Sequence, residues 1–190
     1  MRAFLAVALP EEARRSLTKL QETLAQSRAE VKWVEPPNLH VTLKFFGEVT
    51  DEQRQAIEGL LRRLAHQEGP FGLALDGLGA FPSLTAPRVI WVGLAEGTQA
   101  LARIAGAIER EGAAMRLANE ERPFAAHVTL GRVRSPRTRQ ALVQRLHASA
   151  WRPPTPWPVA SLRLYQSILT PGGPRYSVLA EFPLGRENSP

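Results

Sequence analysis

The sequence predicts an α+β fold made of two equivalent halves. Segments with alternating and with helical periodicity are mixed, but they lack the regular strand–helix–strand order of a doubly wound fold. Several predicted strands follow one another closely enough to be antiparallel neighbours. The string HVTL also occurs twice, at residues 40–43 and 127–130, each time in a predicted strand that precedes an amphipathic helix. We therefore expect one two-lobed domain over residues 1–185 and a polar tail over residues 186–190.

The first half contains strand and helix patterns with clear boundaries. Pro10 suits the start of the first helix, Pro36 and Pro37 interrupt the extended segments, and Thr50 with Gln53 forms a capping-box pattern. The predicted elements are strands over 2–9, 31–34 and 40–46, a helix with apolar residues Ala13, Leu17, Leu20 and Leu24, and a helix with Ile57, Leu60, Leu61 and Leu64.

The second half gives a similar pattern. Thr98 is the predicted cap of a third helix, and Ser135 with Pro136 marks the start of a fourth. The predicted elements are strands over 69–79, 88–94, 124–133, 159–169 and 175–183, a proline-containing loop over 81–87, and a helix with Leu101, Ile104, Ala105 and Ile108. The total is four helices and seven or eight strands.

Composition narrows the function classes. The net charge is +6, and arginine supplies all but three of the basic residues, which favours a polyanionic partner such as RNA, although a general compositional bias would give the same counts. The absence of cysteine excludes disulfides, thiol catalysis and cysteine metal sites. No apolar run is long enough to span a membrane, and residues 2–9 fit a strand better than a signal peptide, so we expect a cytoplasmic protein.

The duplicated motif predicts a site. Side chains alternate along a strand, so His40 and Thr42 project from one face, as do His127 and Thr129 from theirs. If the two halves face each other across a pseudo-twofold axis, these four polar groups meet in one cleft. A single strand histidine beside threonine is more often structural, but its repetition in the same context favours a functional pair.

Two neighbouring histidines suit proton transfer at phosphorus. Each starts from a pKa near 6.5, and their mutual repulsion separates the two titrations, so one can act as base while the other acts as acid. Threonine hydroxyls can hold the phosphate oxygens. Such a site needs no metal, and the sequence offers neither a zinc motif nor a glycine-rich phosphate loop.

Other candidates depend on details of strand geometry. Arg132 follows His127 by five residues, which places it on the wrong face unless Gly131 forms a bulge. The aromatic residues predicted to stack on a nucleobase are Phe46, Phe124 and Tyr176. Phe45 shares its parity with Val41 and Leu43 and is therefore assigned to the core.

The sequence resembles the 2H phosphoesterase superfamily, and within it the RNA 2′,3′-cyclic phosphodiesterase branch, also known as 2′-5′ RNA ligase. The strings that support this resemblance are RAFLAVALP, KWVEPPNLHVTLKFFGEV, PRVIWVGL and RPFAAHVTLGRV. The resemblance implies a bilobal fold with two small antiparallel sheets related by a pseudo-twofold axis, helices on the outer faces and an active-site cleft between the lobes.

The resemblance also implies an activity and residue roles. Terminal 2′,3′-cyclic phosphates of RNA, including those of tRNA fragments, would be hydrolysed to 2′-phosphomonoesters by a monomer without a cofactor, with 2′-5′ ligation as the reverse reaction. His40 would be the proton donor and His127 the proton acceptor, although the pseudo-symmetry makes these roles nearly interchangeable. Thr42, Thr129 and Arg132 would bind the phosphate.

Two alternatives remain open at this point. The same chemistry could act on a small cyclic nucleotide or on an ADP-ribose cyclic phosphate, which a comparison of oligonucleotide with mononucleotide turnover would distinguish. The fold could also serve as a non-catalytic module that binds RNA ends, in which case tight binding without turnover is expected.

Overall fold

A computed structural model describes residues 1–113, 117, 123–137 and 139–185. The predicted polar tail at 186–190 lies outside the described residues. Within them the chain forms the following α-helices and strands: β1 Arg2–Ala8, α1 Glu11–Ala25, β2 Val31–Trp33, β3 His40–Glu48, α2 Asp51–Gln67, β4 Phe71–Phe81, β5 Val89–Glu96, α3 Thr98–Gly112, β6 Val128–Val133, α4 Arg139–His147, β7 Trp157–Val159, β8 Ser161–Thr170 and β9 Gly173–Pro183. None of the described helices is long and apolar enough to cross a membrane.

Local sequence signals explain most of these boundaries. The Thr50 side chain accepts a hydrogen bond from the Gln53 amide at 3.1 Å, and the Gln53 side chain accepts one from the Thr50 amide at 3.0 Å, so the predicted capping box starts α2. Helix α3 begins one residue earlier than predicted, because Gly97, with φ of 87°, is its N-cap. Strand β6 begins only at Val128, and the short strand β7 was not predicted.

The strand order reveals the pseudo-symmetry. All neighbouring strands are antiparallel, in the order β7-β4-β5-β6-β3-β1-β8-β9, with β2 also paired to β6. Counted from the outer edge of the sheet to its centre, the strands of one half, β7-β4-β5-β6, correspond one by one to the strands of the other half, β9-β8-β1-β3. They join through one residue pair, Val41 with Val128, which occupy equivalent positions in the two HVTL motifs. Since a local twofold axis passes between directly opposed residues of antiparallel strands, the pseudo-twofold axis lies at this pair.

Helices α1 and α3 each reach the other half of the molecule. Gln21 of α1 donates hydrogen bonds to the carbonyls of Val34 and Leu130, at 2.9 and 2.8 Å. In the corresponding place, Glu109 of α3 forms an ion pair with the buried Lys44 of β3. The α+β class and the two related halves are thus confirmed, and the sheets of the two halves are continuous at the axis.

Candidate active site

Both motif histidines are held in the same way. The Nδ1 atom of His40 lies 2.6 Å from the carbonyl oxygen of Asn38, and that of His127 lies 2.7 Å from the carbonyl oxygen of Ala125. A carbonyl oxygen can only accept, so Nδ1 carries the proton in both rings. Each ring therefore presents Nε2 as the nitrogen available for proton transfer.

The first motif also contains an internal contact between its two polar side chains. The Nε2 atom of His40 lies 2.9 Å from Oγ1 of Thr42, and the hydroxyl donates to Nε2 when the ring is neutral. Thr129 occupies the equivalent position in β6, and both threonines are partly buried. The structure thus places His40, Thr42 and Thr129 in the two strands that meet at the axis, and His127 directly before the second of these strands.

Aromatic side chains surround the two imidazoles. The ring of Phe4 lies 5.0 Å from that of His40, and Tyr176 meets His40 edge-on at 5.5 Å. Phe81 meets His127 edge-on at 5.4 Å, and Trp91 lies 6.2 Å from it. Three of these neighbours, Phe4, Phe81 and Trp91, were not predicted, because they come from strands with no motif of their own.

Burial is the main influence on His40. It lowers the pKa of His40 below the ordinary value of 6.5 by removing water from the charged ring. The hydrogen bond to the Asn38 carbonyl acts in the opposite direction, and the charge of His127 lowers the pKa further. The last effect agrees with a short separation of the two rings, as expected for residues that share one site.

The lowered pKa of His40 predicts a pH dependence of stability. The unfolded chain takes up the His40 proton near pH 6.5 and the folded chain only at lower pH, so stability is lost as the pH falls through this interval. In urea unfolding at about pH 7.5 and about pH 5.5, the loss of stability should be larger in the wild type than in His40→Gln. Equal losses in the two proteins would contradict a depressed His40 pKa.

A β-bulge turns Arg132 toward the site. Along β5 and β6, Ile90 pairs with Gly131 but Trp91 pairs with Thr129, so Leu130 is the extra residue. The bulge reverses the later alternation, and Arg132 is exposed on the face that carries Thr129. The carbonyl of Leu130 is satisfied by Gln21 and by the amide of Val34.

Gly131 makes this arrangement possible. A Cβ atom at this residue would lie 2.7 Å from Cγ1 of Val31 and 2.8 Å from Cε3 of Trp33, so the close approach of β2 to β6 requires glycine. The hypothesis that a bulge beside Gly131 redirects Arg132 agrees with this geometry.

The first motif contains the same bulge, and this corrects two predictions. Leu5 pairs with Lys44 and Ala6 with Thr42, so Leu43 is the extra residue in β3. The alternation reverses there as well: Phe45 is 55% exposed, whereas Phe46 is 3% exposed and belongs to the core. The prediction that Phe46 stacks on a nucleobase is therefore wrong, and so is the assignment of Phe45 to the core.

The two bulges place Phe45 and Arg132 at equivalent positions, each five residues after its histidine. A comparison of the two motifs would have identified Phe45 as a site residue from the sequence. The two residues differ in chemistry, so the pseudo-symmetric site has one apolar and one cationic end.

The apolar end opens into a cleft of about 980 Å³. Thr42 and His127 are part of its lining, together with Phe45, Phe81 and the predicted Phe124. The remaining wall comes largely from α3 and from the loop between β4 and β5. Its size and its aromatic side chains suit a nucleobase.

The cationic end lies beside the predicted Tyr176. Burial raises the pKa of Tyr176, while the charges of Arg132 and Arg2 act in the opposite direction. The charge of Arg132 thus acts on a tyrosine whose ring lies edge-on against His40. The structure therefore brings Arg132 and Tyr176 to one side of the site and Phe124 to the other.

This site occurs in a chain whose two halves each match a known family. The match is to the family described as LigT like Phosphoesterase, over residues 7–91 and again over residues 92–176, with one HVTL motif in each match. The chain belongs to the LigT-like phosphoesterase family. This membership confirms the resemblance to 2H phosphoesterases, and the double match agrees with the pseudo-twofold axis of the LigT-like fold.

Relatives of known name cover nearly the whole chain. RNA 2′,3′-cyclic phosphodiesterase from Methanothermobacter thermautotrophicus is 36% identical over 97% of this chain and 99% of its own length. The enzyme of the same name from Aeropyrum pernix is 38% identical over 87% of this chain and 93% of its own.

Solved structures share the LigT-like fold. TT0787 of Thermus thermophilus superposes with a TM-score of 0.80 and 34% identity, over 99% of this chain and all of that one. Escherichia coli LigT complexed with 3′-AMP superposes with a TM-score of 0.76 and 28% identity, over 96% and 97% of the two chains.

Proposed function

We propose that this protein hydrolyses the terminal 2′,3′-cyclic phosphate of RNA to a 2′-phosphomonoester. The observation that supports this most directly is the pair of equivalent His–Thr motifs at one axis, each with its imidazole held through Nδ1, so that Nε2 is the nitrogen for proton transfer. The names of the relatives from Methanothermobacter thermautotrophicus and Aeropyrum pernix state a 2′,3′-cyclic phosphodiesterase activity on RNA. The net charge of +6 of this chain suits an RNA substrate.

The reaction needs one base and one acid. His127 takes a proton from water as the water oxygen attacks phosphorus, the bond from phosphorus to the 3′ oxygen breaks, and His40 gives its proton to that leaving oxygen. Thr42, Thr129 and Arg132 bind the non-bridging oxygens, whose negative charge increases in the transition state. If the 5′-hydroxyl of a second RNA takes the place of water, the same two proton transfers and the same break of the bond from phosphorus to the 3′ oxygen join the two RNA ends through a 2′-5′ linkage.

The assignment of acid and base requires His40 to be protonated when the substrate is bound. In the free protein the pKa of His40 is lowered, which by itself suits a base. An anionic phosphodiester beside the ring opposes this effect, because it stabilises the imidazolium form. A substrate whose 3′ leaving oxygen is replaced by sulfur tests the roles, since a thiolate leaves without a proton. Such a substrate should restore turnover to the variant that lacks the acid, and recovery in the His127 variant instead would exchange the two roles.

The terminal nucleobase occupies the apolar cleft. Phe45 offers an exposed ring there, in place of the buried Phe46, and Phe124 lies in the same lining. Base–aromatic stacking tolerates all four bases, so we expect little base preference. Tyr176, which lies against His40, borders the ribose and phosphate rather than the base.

The remaining parts of the proposal concern the cellular context. We propose a cytoplasmic monomer that acts on RNA fragments with cyclic phosphate ends, such as those of tRNA, without a bound metal or cofactor. Escherichia coli LigT has been crystallised with 3′-AMP, so a single nucleotide is a second candidate substrate that any assay should include.

The first experiment is turnover of a short RNA ending in a 2′,3′-cyclic phosphate, in EDTA, with the product linkage determined. We expect a 2′-phosphate product and the same rate without EDTA, because two histidines supply both proton transfers. A nucleoside 2′,3′-cyclic phosphate and an ADP-ribose cyclic phosphate serve as comparison substrates.

Three results would contradict the proposal. Activity that is lost in EDTA and returns only with added metal would replace the two-histidine mechanism. Turnover confined to a small cyclic phosphate would change the substrate class. Tight binding of the RNA end with no turnover would make the protein a binding module.

A further inference from the structure

A pair of like charges stands at the cationic end of the site. Lys32 of β2 lies directly opposite Arg132 of β6, and both side chains are exposed on the same face. Within the described part of the chain neither forms a salt bridge with a carboxylate. Like charges directly opposed across two strands repel each other, and an anion bound beside them would offset this repulsion.

The ammonium group of Lys32 reaches across to the other half of the molecule. A Cβ atom at Gly173 would lie 3.5 Å from Nζ of Lys32, which places the ammonium beside the turn between β8 and β9. The side chain of Asn38 donates a hydrogen bond to the Pro174 carbonyl at 2.9 Å and so attaches this turn to the segment before His40. Lys32 thus stands at the rim of the site, on the side of Tyr176.

The two ends of the site match the two sides of an RNA terminus. The last nucleotide presents its base in one direction and, in another, the phosphodiester that links it to the preceding nucleotide. The Phe45 end is lined mostly by apolar side chains, with Arg88 and the Lys44–Glu109 ion pair also in its lining, whereas the opposite end carries Arg2, Lys32 and Arg132. Arg132 is assigned to the cyclic phosphate, and of the other two cations it is Lys32 that lies directly opposite Arg132, so Lys32 is the candidate for a second anion.

We infer that Lys32 binds the phosphodiester on the 5′ side of the terminal nucleotide and thereby selects an RNA chain over a mononucleotide. This inference rests on the proposed function, since it assumes a cyclic phosphate at the histidines. Lysine suits the role because it binds phosphate as a mobile point charge and demands no single geometry.

The test compares Lys32→Gln with the wild type on three substrates. These are a dinucleotide ending in a 2′,3′-cyclic phosphate, the same compound with a neutral methylphosphonate linkage, and a nucleoside 2′,3′-cyclic phosphate with a free 5′-hydroxyl. Lys19→Gln is the matched control, since Lys19 is exposed on α1 and the substitution makes the same charge change.

We expect Lys32→Gln to raise KM for the charged dinucleotide about tenfold, the effect of one charge-assisted hydrogen bond. KM for the neutral dinucleotide and for the mononucleotide should stay within about twofold of the wild type. Neither substrate carries the charged linkage, so the substitution of Lys32 removes no further contact with the substrate. The dependence of log(kcat/KM) on log[salt] for the charged dinucleotide should also become shallower by about one unit.

Two outcomes would overturn the role of Lys32. One is an equal change on all three substrates, and the other is no change on the charged dinucleotide. If the wild type turns over none of them, the proposed function fails by itself. In that case, Kd for dinucleotides that end in a 2′-phosphate and have a charged or a neutral linkage is compared between the wild type and Lys32→Gln. A Kd raised only for the charged linkage would show that Lys32 binds this linkage.

Discussion

Replacement of His127 by alanine is expected to lower kcat for the cyclic phosphate by about 10²–10⁴-fold, and replacement of His40 by a similar factor. Each substitution removes one of the two proton transfers, and a displacement at phosphorus gains little from the transfer that remains. The double variant should be only slightly worse than either single one, because residues that act as a unit do not contribute additively. Single-turnover rates at saturating RNA give these values without a contribution from product release.

The pH profile separates chemistry from damage to the fold. The wild type should show a bell-shaped profile, and the variant that lacks the base should lose the acidic limb while the variant that lacks the acid loses the alkaline limb. His66→Ala is the matched control, because His66 is exposed near the end of α2 and should leave both limbs in place. A profile unchanged in His127→Ala would remove that residue from the reaction.

Replacement of Arg132 by alanine is expected to lower kcat by about 10²–10³-fold, the usual cost of losing one donor to a developing oxyanion. The effect should exceed that of Arg132→Lys, which keeps the charge but loses the planar fork that can hold two phosphate oxygens at once. Binding of a 2′-phosphate product should weaken in the same order.

Arg62→Ala, on the exposed surface of α2, serves as the control for the loss of a positive charge. If it reduced kcat as strongly as Arg132→Ala, the effect would come from net charge rather than from a contact with the phosphate. An Arg132→Ala variant with raised KM and unchanged kcat would show that this arginine contributes equally to substrate and transition-state binding.

Signals that act over a few residues were sufficient to predict much of this fold. The apolar spacing along α1 and α2 identified side chains that are buried, and the capping box at Thr50 fixed the start of α2. The repeated HVTL string predicted both the relation of the two halves and the four polar groups of the candidate site. These predictions succeed because helix faces, caps and strand alternation depend on neighbours in the sequence.

The predictions that failed depend on pairing between distant segments. The bulge at Leu43 exists because β3 pairs with β1 in a shifted register, which cannot be read from β3 alone, whereas Gly131 gave a local signal for the bulge in β6. Strict alternation therefore placed Phe45 in the core and Phe46 in the site, the reverse of what is found. Lys32 escaped notice for the same reason, since its neighbour Arg132 lies far away in the sequence.

The position of the axis at Val41 and Val128 has a consequence for how this site could diversify. In a symmetric pair of identical chains, every change near the axis appears twice, so both ends of a shared site must have the same chemistry. Here the two halves are covalently joined and each position is encoded separately. An aromatic ring can therefore follow one histidine and a guanidinium the other, so that the two ends of a pseudo-symmetric site differ in chemistry.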